Sequence, residues 1–242
     1  MCYHLSQAID PDRLKERYRA KKFNDSEKVK PVYHANAFSF LPLPVITDAE
    51  PDTIQLMQWG LIPSWASNHD KAMELRKNTP NARIETIFEK PSFRESAHKR
   101  HCLVPATGFF EWQTIGSKKF PYYIHLKDEE IFSMAGIWEV WTDKQSGETK
   151  ETFSILTTDA NPLMARIHNS KKRMPVILAK ETELDWLHKG FDETTIDSFA
   201  RPFDEKKMEA YTISRRISEK DSNTPDVLKP YTYSEITQTS LF

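Results

Sequence analysis

Glycine and cysteine are scarce in this chain of 242 residues, with six and two respectively. Cys2 and Cys102 are too few for a disulfide framework and too far apart for a zinc-binding spacing, so the sequence predicts neither cross-links nor a metal site. Little glycine beside fifteen prolines excludes a flexible low-complexity chain and predicts stiff, defined loops. No apolar run is long enough to cross a membrane. The opening residues lack the apolar stretch of a secretion signal. The expectation is a cytoplasmic protein with reduced thiols and no membrane partner. A net charge of −1 gives no bulk argument for nucleic-acid binding, which must rest on local basic clusters. What is present is 38% hydrophobic and 29% charged residues, the balance of a folded, soluble chain with ample core.

Asp10-Pro11 predicts a helix from residue 10 to about Lys22, with Asp10 as N-cap and Pro11 in the first turn. Pro42 and Pro44 interrupt the apolar stretch 32–46, which reads as irregular chain leading into a short strand. Thr53 to Trp59 alternates as a strand. Residues 84–100 are helical in composition, with a break at Pro91. Four strand-like runs follow, at 102–114, 121–126, 131–141 and 152–158, with hairpin tips at Lys118-Lys119 and at 144–147. A short helix at 160–167, a buried strand at 174–178, two helices at 181–189 and 193–200 and a last strand at 208–214 complete the pattern. With no linker and no repeat, the chain reads as one α+β domain with a mostly antiparallel sheet and a polar end.

Met1-Cys2 is the most informative pair. Methionine removal would leave Cys2 with both an α-amine and a thiol, groups that titrate near about 8 and 8.5. Such an aminothiol captures aldehydes as a thiazolidine or serves as an N-terminal nucleophile on amides. The plainer reading is a small residue after a start codon. Glu111, among Phe109, Phe110 and Trp112, is a general acid/base if buried; taken alone, strand alternation slightly favours a solvent-facing carboxylate. His168 stands in a loop between a helix and a buried strand, where it either shuttles protons or is an ordinary loop histidine. Asn81 and Arg83 follow Pro80 and suit a carbonyl and a phosphate, or simply a helix N-cap and a surface arginine. Arg94, Lys99-Arg100 and Lys171-Lys172-Arg173, with Trp59, Trp65 and Trp112 near these motifs, combine charge with stacking surfaces suited to single-stranded nucleic acid. The competing reading is solvated charge over a tryptophan-containing core.

In order, these blocks resemble the SRAP family, the SOS response-associated peptidases. The resemblance rests on Met1-Cys2, Trp59-Gly60-Leu61-Ile62-Pro63-Ser64-Trp65, Asn81-Ala82-Arg83-Ile84-Glu85-Thr86, Cys102-Leu103-Val104-Pro105-Ala106 running into Gly108-Phe109-Phe110-Glu111-Trp112, and His168 ahead of Arg173-Met174-Pro175. It covers about residues 1–230 and leaves 231–242 as a flexible tail. It implies a single compact domain with a twisted, barrel-like, mostly antiparallel sheet and flanking helices. It also implies a function: shielding abasic sites in single-stranded DNA, including single–double-strand junctions, through a thiazolidine crosslink at Cys2 after Met1 is removed.

On that resemblance Asn81 positions the new N-terminus, Glu111 is the general acid/base, and His168 assists opening of the sugar. Arg83 holds a phosphate, and Trp59, Trp65 and Trp112 line or support the cleft; Arg94, Lys172 and Arg173 are DNA contacts by their charge, and His4 stands in for the family's phosphate-binding arginine. No cofactor is implied; the location is cytoplasmic and nucleoid-associated, and the default state is a monomer. Two departures stand out. The family usually continues Cys-Gly-Arg, where this chain has Cys2-Tyr3-His4, and its Asn-Val-Ala-Pro block is altered to His34-Ala35-Asn36-Ala37-Phe38. At the other end, Gln238, Leu241 and Phe242 resemble the short peptide that docks replication proteins on the sliding clamp. The alternative readings are an N-terminal-nucleophile amidohydrolase and a non-covalent single-strand-binding module.

Overall fold

Alternating apolar sequence builds most of the molecule as strands. The computed structural model describes residues 2–188, 191–192 and 194–236. Its first half holds β1 (His4–Gln7), α1 (Pro11–Tyr18), β2 (Lys22–Phe23), β3 (Val32–Asn36), β4 (Pro42–Thr47), β5 (Thr53–Trp59), α2 (His69–Arg76), β6 (Asn81–Arg83) and α3 (Arg94–Lys99). Next come β7 (His101–Ala106), β8 (Gly108–Ile115), β9 (Lys118–Leu126), β10 (Phe132–Thr142) and β11 (Thr149–Asp159). The chain closes with α4 (Pro162–Ile167), β12 (Arg173–Pro175), β13 (Ile177–Leu178), α5 (Glu183–His188) and β14 (Met208–Thr212).

The strands form two sheets. One is antiparallel, in the order β14-β9-β8-β1-β3. The other runs β12-β11-β10-β7-β4-β5-β2, and β11 also pairs in parallel with β5 through Thr152–Gln58 and Phe153–Trp59. That last pairing closes β5, β4, β7, β10 and β11 into a five-stranded barrel, which leaves those strands without a free edge. The expected single α+β domain with a barrel-like, mostly antiparallel sheet is the observed architecture. The main core lies between barrel and open sheet, and Cys2, Leu5, Phe109, Trp59, Met134 and Phe153 all contribute to it.

Several local expectations change. Asp10 does cap α1, accepting from the Arg13 amide at 3.1 Å, but the helix ends at Tyr18 because Arg19 turns left-handed. Residues 32–46 are two strands, not irregular chain. Pro42 and Pro44 pair with β5 on one side, while β7 joins β4 only at Ile46 and Thr47, so the missing N–H groups face no ladder there. The Gln7 side-chain amide instead donates to the Pro44 carbonyl at 3.2 Å. Of the helical stretch 84–100 only α3 is α-helical, and α2 is a further helix ahead of it. The 193–200 helix is a single 3-10 turn, Ile196–Ser198, among the described residues. The first hairpin tip is Gly116-Ser117, where Gly116 supplies a positive φ of 59°; Lys118 and Lys119 already belong to β9. Residues 231–236 are not a free tail: the Tyr231 amide donates to the Thr212 carbonyl and the Tyr233 hydroxyl to the Ile213 carbonyl, both at 2.8 Å. Gln238, Leu241 and Phe242 lie outside the described residues. No described helix is long and apolar enough to cross a membrane.

The chain passes from barrel to open sheet at Thr107-Gly108. There the Thr107 amide donates to the Ser6 carbonyl at 2.8 Å, the Thr107 hydroxyl donates to Ser6 Oγ at 3.0 Å, and the Tyr123 hydroxyl donates to the Thr107 carbonyl at 2.9 Å. The Tyr123 ring lies so close that a Cβ on Gly108 would stand 2.4 Å from it. Gly108→Ala should therefore cost roughly 1–3 kcal/mol by overpacking, read as a lower urea midpoint with an unchanged m-value.

Candidate functional site

The Thr107 corner decides what the chain start meets. β1 pairs with β8 through Leu5–Phe109 and Ser6–Gly108, so Cys2, Tyr3 and His4 run alongside Glu111 and Trp112. From the barrel side, β6 pairs with β11 through Asn81–Ile155 and Thr157–Arg83, and β12 pairs with the same strand through Asp159–Arg173. α4, capped by Asn161, ends at His168. These pieces enclose a cleft of about 580 Å³ lined by Tyr3, His4, Arg83, Glu111, Trp112 and His168, with Thr114, Lys119, Ser170, Lys171, Arg173 and Ser218 around them. A cavity of about 600 Å³ elsewhere is lined by Arg17, Tyr18 and Glu183. There Glu183 is satisfied by a two-pronged Arg17 pair at 2.7 and 3.1 Å and by Ser133 at 2.6 Å, a structural network rather than a waiting site.

Burial sets the chemistry of the cleft floor. Cys2 is fully buried, and its thiol donates to the His4 carbonyl at 3.5 Å. Burial, followed by the Glu111 carboxylate, pushes that thiol far above its ordinary range, so it rests as a neutral S–H. Burial also pushes the Glu111 carboxyl up to about 8, which keeps most of it protonated at neutral pH. His168 Nδ1 lies 2.9 Å from the Arg173 carbonyl; because a carbonyl only accepts, Nδ1 carries the proton and Nε2 is the basic nitrogen. The same Nδ1 is 3.7 Å from Glu111 Oε1. Burial lowers the His168 pKa and favours the neutral ring. A proton donor and a proton acceptor thus stand side by side beside a thiol.

Asn81 is buried, and both polar atoms of its side chain lack a hydrogen-bond partner among the described residues. Such a group costs free energy unless something it faces supplies the bonds. It shares a strand face with the exposed, cleft-lining Arg83 two residues on.

Other candidates are placed differently. Trp59 is in the core, stacked on Phe153, and its indole donates to the Pro80 carbonyl at 2.8 Å; it supports the strand that carries Asn81 and does not line the cleft. Trp65 is exposed but outside the cleft lining, with its indole on the Pro91 carbonyl at 3.1 Å. Trp112 lines the cleft and meets the His4 ring edge-on at 4.8 Å. Arg94 is exposed at the start of α3, away from the lining. Lys172 is exposed in a left-handed turn outside the lining, and its neighbour Lys171 lines the cleft instead. Arg173 corrects the expectation of a free DNA-binding cation: it is buried, and its guanidinium is spent on Glu85 at 2.7 and 2.8 Å, Asp159 at 2.8 Å and the Thr157 carbonyl at 2.7 Å. Nor is His4 a cation. It hydrogen-bonds His34 at 2.8 Å, His34 meets Ser222 at 2.7 Å, and burial lowers the two rings to about 3 and about 4. The available positive charge is Arg83, Lys119 and Lys171. Lys119 was readable only with the hairpin register in hand, which sets it across from Thr114. Among the described residues no cluster of three or more His, Cys, Asp or Glu side chains could hold a metal ion.

The raised Glu111 pKa has a stability consequence. Unfolded, the carboxyl ionises near its ordinary 4.5; folded, it holds its proton to about 8. The native state therefore binds more protons across that window, and stability falls as pH rises through it. Glu111→Gln should be more stable than the wild type at pH about 8–9, and this advantage should vanish below about 4.5. Denaturant titrations at several pH values measure the difference.

The chain has relatives along nearly its whole length. A family model for the SOS response associated peptidases (SRAP) matches residues 1–220. The chain is 34% identical over 233 residues to the abasic site processing protein YoqW of Bacillus subtilis, covering 96% of this chain and all of that protein. It is 28% identical over 265 residues to the abasic site processing protein HMCES of Xenopus tropicalis, covering 94% and 78%. A crystal structure of a protein from Bacteroides thetaiotaomicron superposes with a TM-score of 0.90 at 45% identity, covering 96% of this chain and 100% of that one. With its sequence and its fold matched over nearly the full length, the chain belongs to the SRAP family.

Proposed function

We propose that this protein processes abasic sites in single-stranded DNA, including those at single–double-strand junctions, by capturing them covalently on Cys2. The observation that carries the reading is a mostly protonated Glu111 and a His168 with a free Nε2 lining one cationic-rimmed cleft, with Cys2 buried beneath it within electrostatic reach of Glu111. The relatives named as abasic site processing proteins point to the same substrate.

Water first cleaves the Met1–Cys2 peptide bond, releasing methionine and freeing the Cys2 amine. His168 Nε2 takes the proton of the sugar's anomeric hydroxyl, and the proton is returned to the ring oxygen as the sugar opens to its aldehyde. The amine adds to that aldehyde. Glu111 gives its proton to the departing hydroxyl, so one water leaves and a protonated imine forms. The Glu111 carboxylate then draws the proton from the high-pKa thiol and is protonated again. Sulfur closes on the carbon of the protonated imine, whose nitrogen keeps its hydrogen as the ring N–H. The product is a thiazolidine. Without closure, an imine next to the 3′ phosphate invites β-elimination and strand cleavage; ring closure removes that imine. The unpartnered amide of Asn81 orients the amine. Arg83, Lys119 and Lys171 hold the flanking phosphates.

Incubation with single-stranded DNA carrying one abasic site should give a band that survives a denaturing gel. Cys2→Ala should abolish it, and Glu111→Gln should slow its formation by about 10²–10⁴-fold, the usual worth of a general acid/base. The intact mass of the active protein should lack Met1. Persistence of the crosslink in Cys2→Ala would sink the reading, and glutamine hydrolysis without a crosslink would point to an amidohydrolase. We also propose that Gln238, Leu241 and Phe242 dock on a sliding clamp; equal clamp recovery with and without residues 238–242 removes that idea.

A further inference from the structure

One wall of the cleft carries an aromatic pair that the capture chemistry leaves unused. β1 and β3 pair with His4 across from Asn36, which brings Tyr3 against the turn that follows Asn36. The Ala37 amide donates to the Tyr3 carbonyl at 2.9 Å. Within the turn, the Phe38 amide donates to the Asn36 side chain at 3.0 Å, and the Ser39 hydroxyl donates to the Asn36 carbonyl at 2.7 Å. Phe40 closes it in the left-handed region, with φ 55°. The turn is therefore fixed, and it holds the Phe38 ring on the Tyr3 ring with centroids 5.2 Å apart. Tyr3 lines the cleft, whereas Phe38 leaves 48% of its surface open to solvent. An exposed phenylalanine on a rigid mount gives up burial that a core position would supply.

We propose that Phe38, backed by Tyr3, is a stacking platform for a nucleobase that flanks the abasic nucleotide; this rests on the abasic-site reading above. Three observations favour a base over any other occupant. Tyr3 belongs to both the cleft and the platform, so a strand lying in the cleft reaches Phe38 without a gap. The cations Arg83, Lys119 and Lys171 serve a polyanion whose phosphates lie in the cleft and whose bases must project from it. Finally, an abasic nucleotide deprives its neighbour of one stacking partner, and an aromatic face replaces that partner for any base. Because the turn is preformed, little conformational entropy is lost on contact.

The test uses single strands in which tetrahydrofuran, an abasic analogue without an aldehyde, stands next to 2-aminopurine on the 5′ side and then on the 3′ side. The wild type should quench the 2-aminopurine on one of the two sides. Phe38→Ala should abolish the quench and weaken binding roughly 5- to 150-fold, the worth of one stacked base, while Phe38→Trp keeps both. Replacing the flanking base by a second tetrahydrofuran should bring the wild type down to the Phe38→Ala affinity. Equal quench and affinity in wild type and Phe38→Ala would overturn the platform, as would loss of both in Phe38→Trp or quenching on neither side. Because the analogue cannot crosslink, a wild type that quenches yet never captures authentic abasic DNA would overturn the covalent reading and leave the platform standing.

Discussion

The pairing of β1 with β8 is the constraint on which the rest of the site depends. Cys2 is near none of the other candidate catalytic groups in sequence. It reaches Glu111 because Ser6, Thr107 and Tyr123 lock the corner where the chain leaves the barrel and enters the open sheet. A one-residue slip of that register would turn every β1 side chain to the opposite face. Leu5, fully buried against Phe109, makes such a slip costly, and so the same packing that builds the core also aims the chain start.

Charge is distributed in two layers. On the floor, burial drives Cys2, Glu111, His168 and His4 toward their uncharged forms. On the rim, Arg83, Lys119 and Lys171 keep exposed positive charge. A neutral floor suits proton exchange among amine, hydroxyl and thiol, where a permanently ionised group would be costly to desolvate. A charged rim suits phosphate. Arg173 belongs to neither layer: its guanidinium is cancelled by Glu85 and Asp159, and its carbonyl fixes the tautomer of His168. It is a positioning residue that ties β11 and β12 to the 3-10 turn Ile84–Thr86, which carries Glu85.

Much of the molecule was legible in the chain. The strands from β7 to β11 announce themselves through runs of Phe, Tyr, Trp, Ile and Val, because a half-buried pleated surface selects those residues. Asp10 and Pro11 mark the start of α1 by capping chemistry. Elements set by tertiary pairing were harder to read. β4 exists despite two prolines because β7 joins it only at Ile46 and Thr47, so the missing N–H groups face no ladder on that side. α2 has a weak amphipathic pattern, and its local mark is the Asn68 N-cap, whose side chain accepts from the Lys71 amide at 2.9 Å. In the site, Glu111 and His168 stood out by chemistry and context. Trp59 and Arg173 carried the right chemistry for a DNA contact but are consumed in packing and ion pairing, which no local pattern reveals.

By itself the sequence determined the inventory: an aminothiol in waiting at Cys2, a carboxyl among aromatics, a histidine in a loop, and the ordered blocks of one family. These are properties of residue type and spacing along the chain. The tertiary structure alone decided which of them are buried together, which cations stay free and which aromatic stays exposed. Protonation depends on desolvation and on neighbours brought in from distant strands, so Glu111 becomes an acid that holds its proton to about 8 only once β1, β8 and the barrel have closed around it.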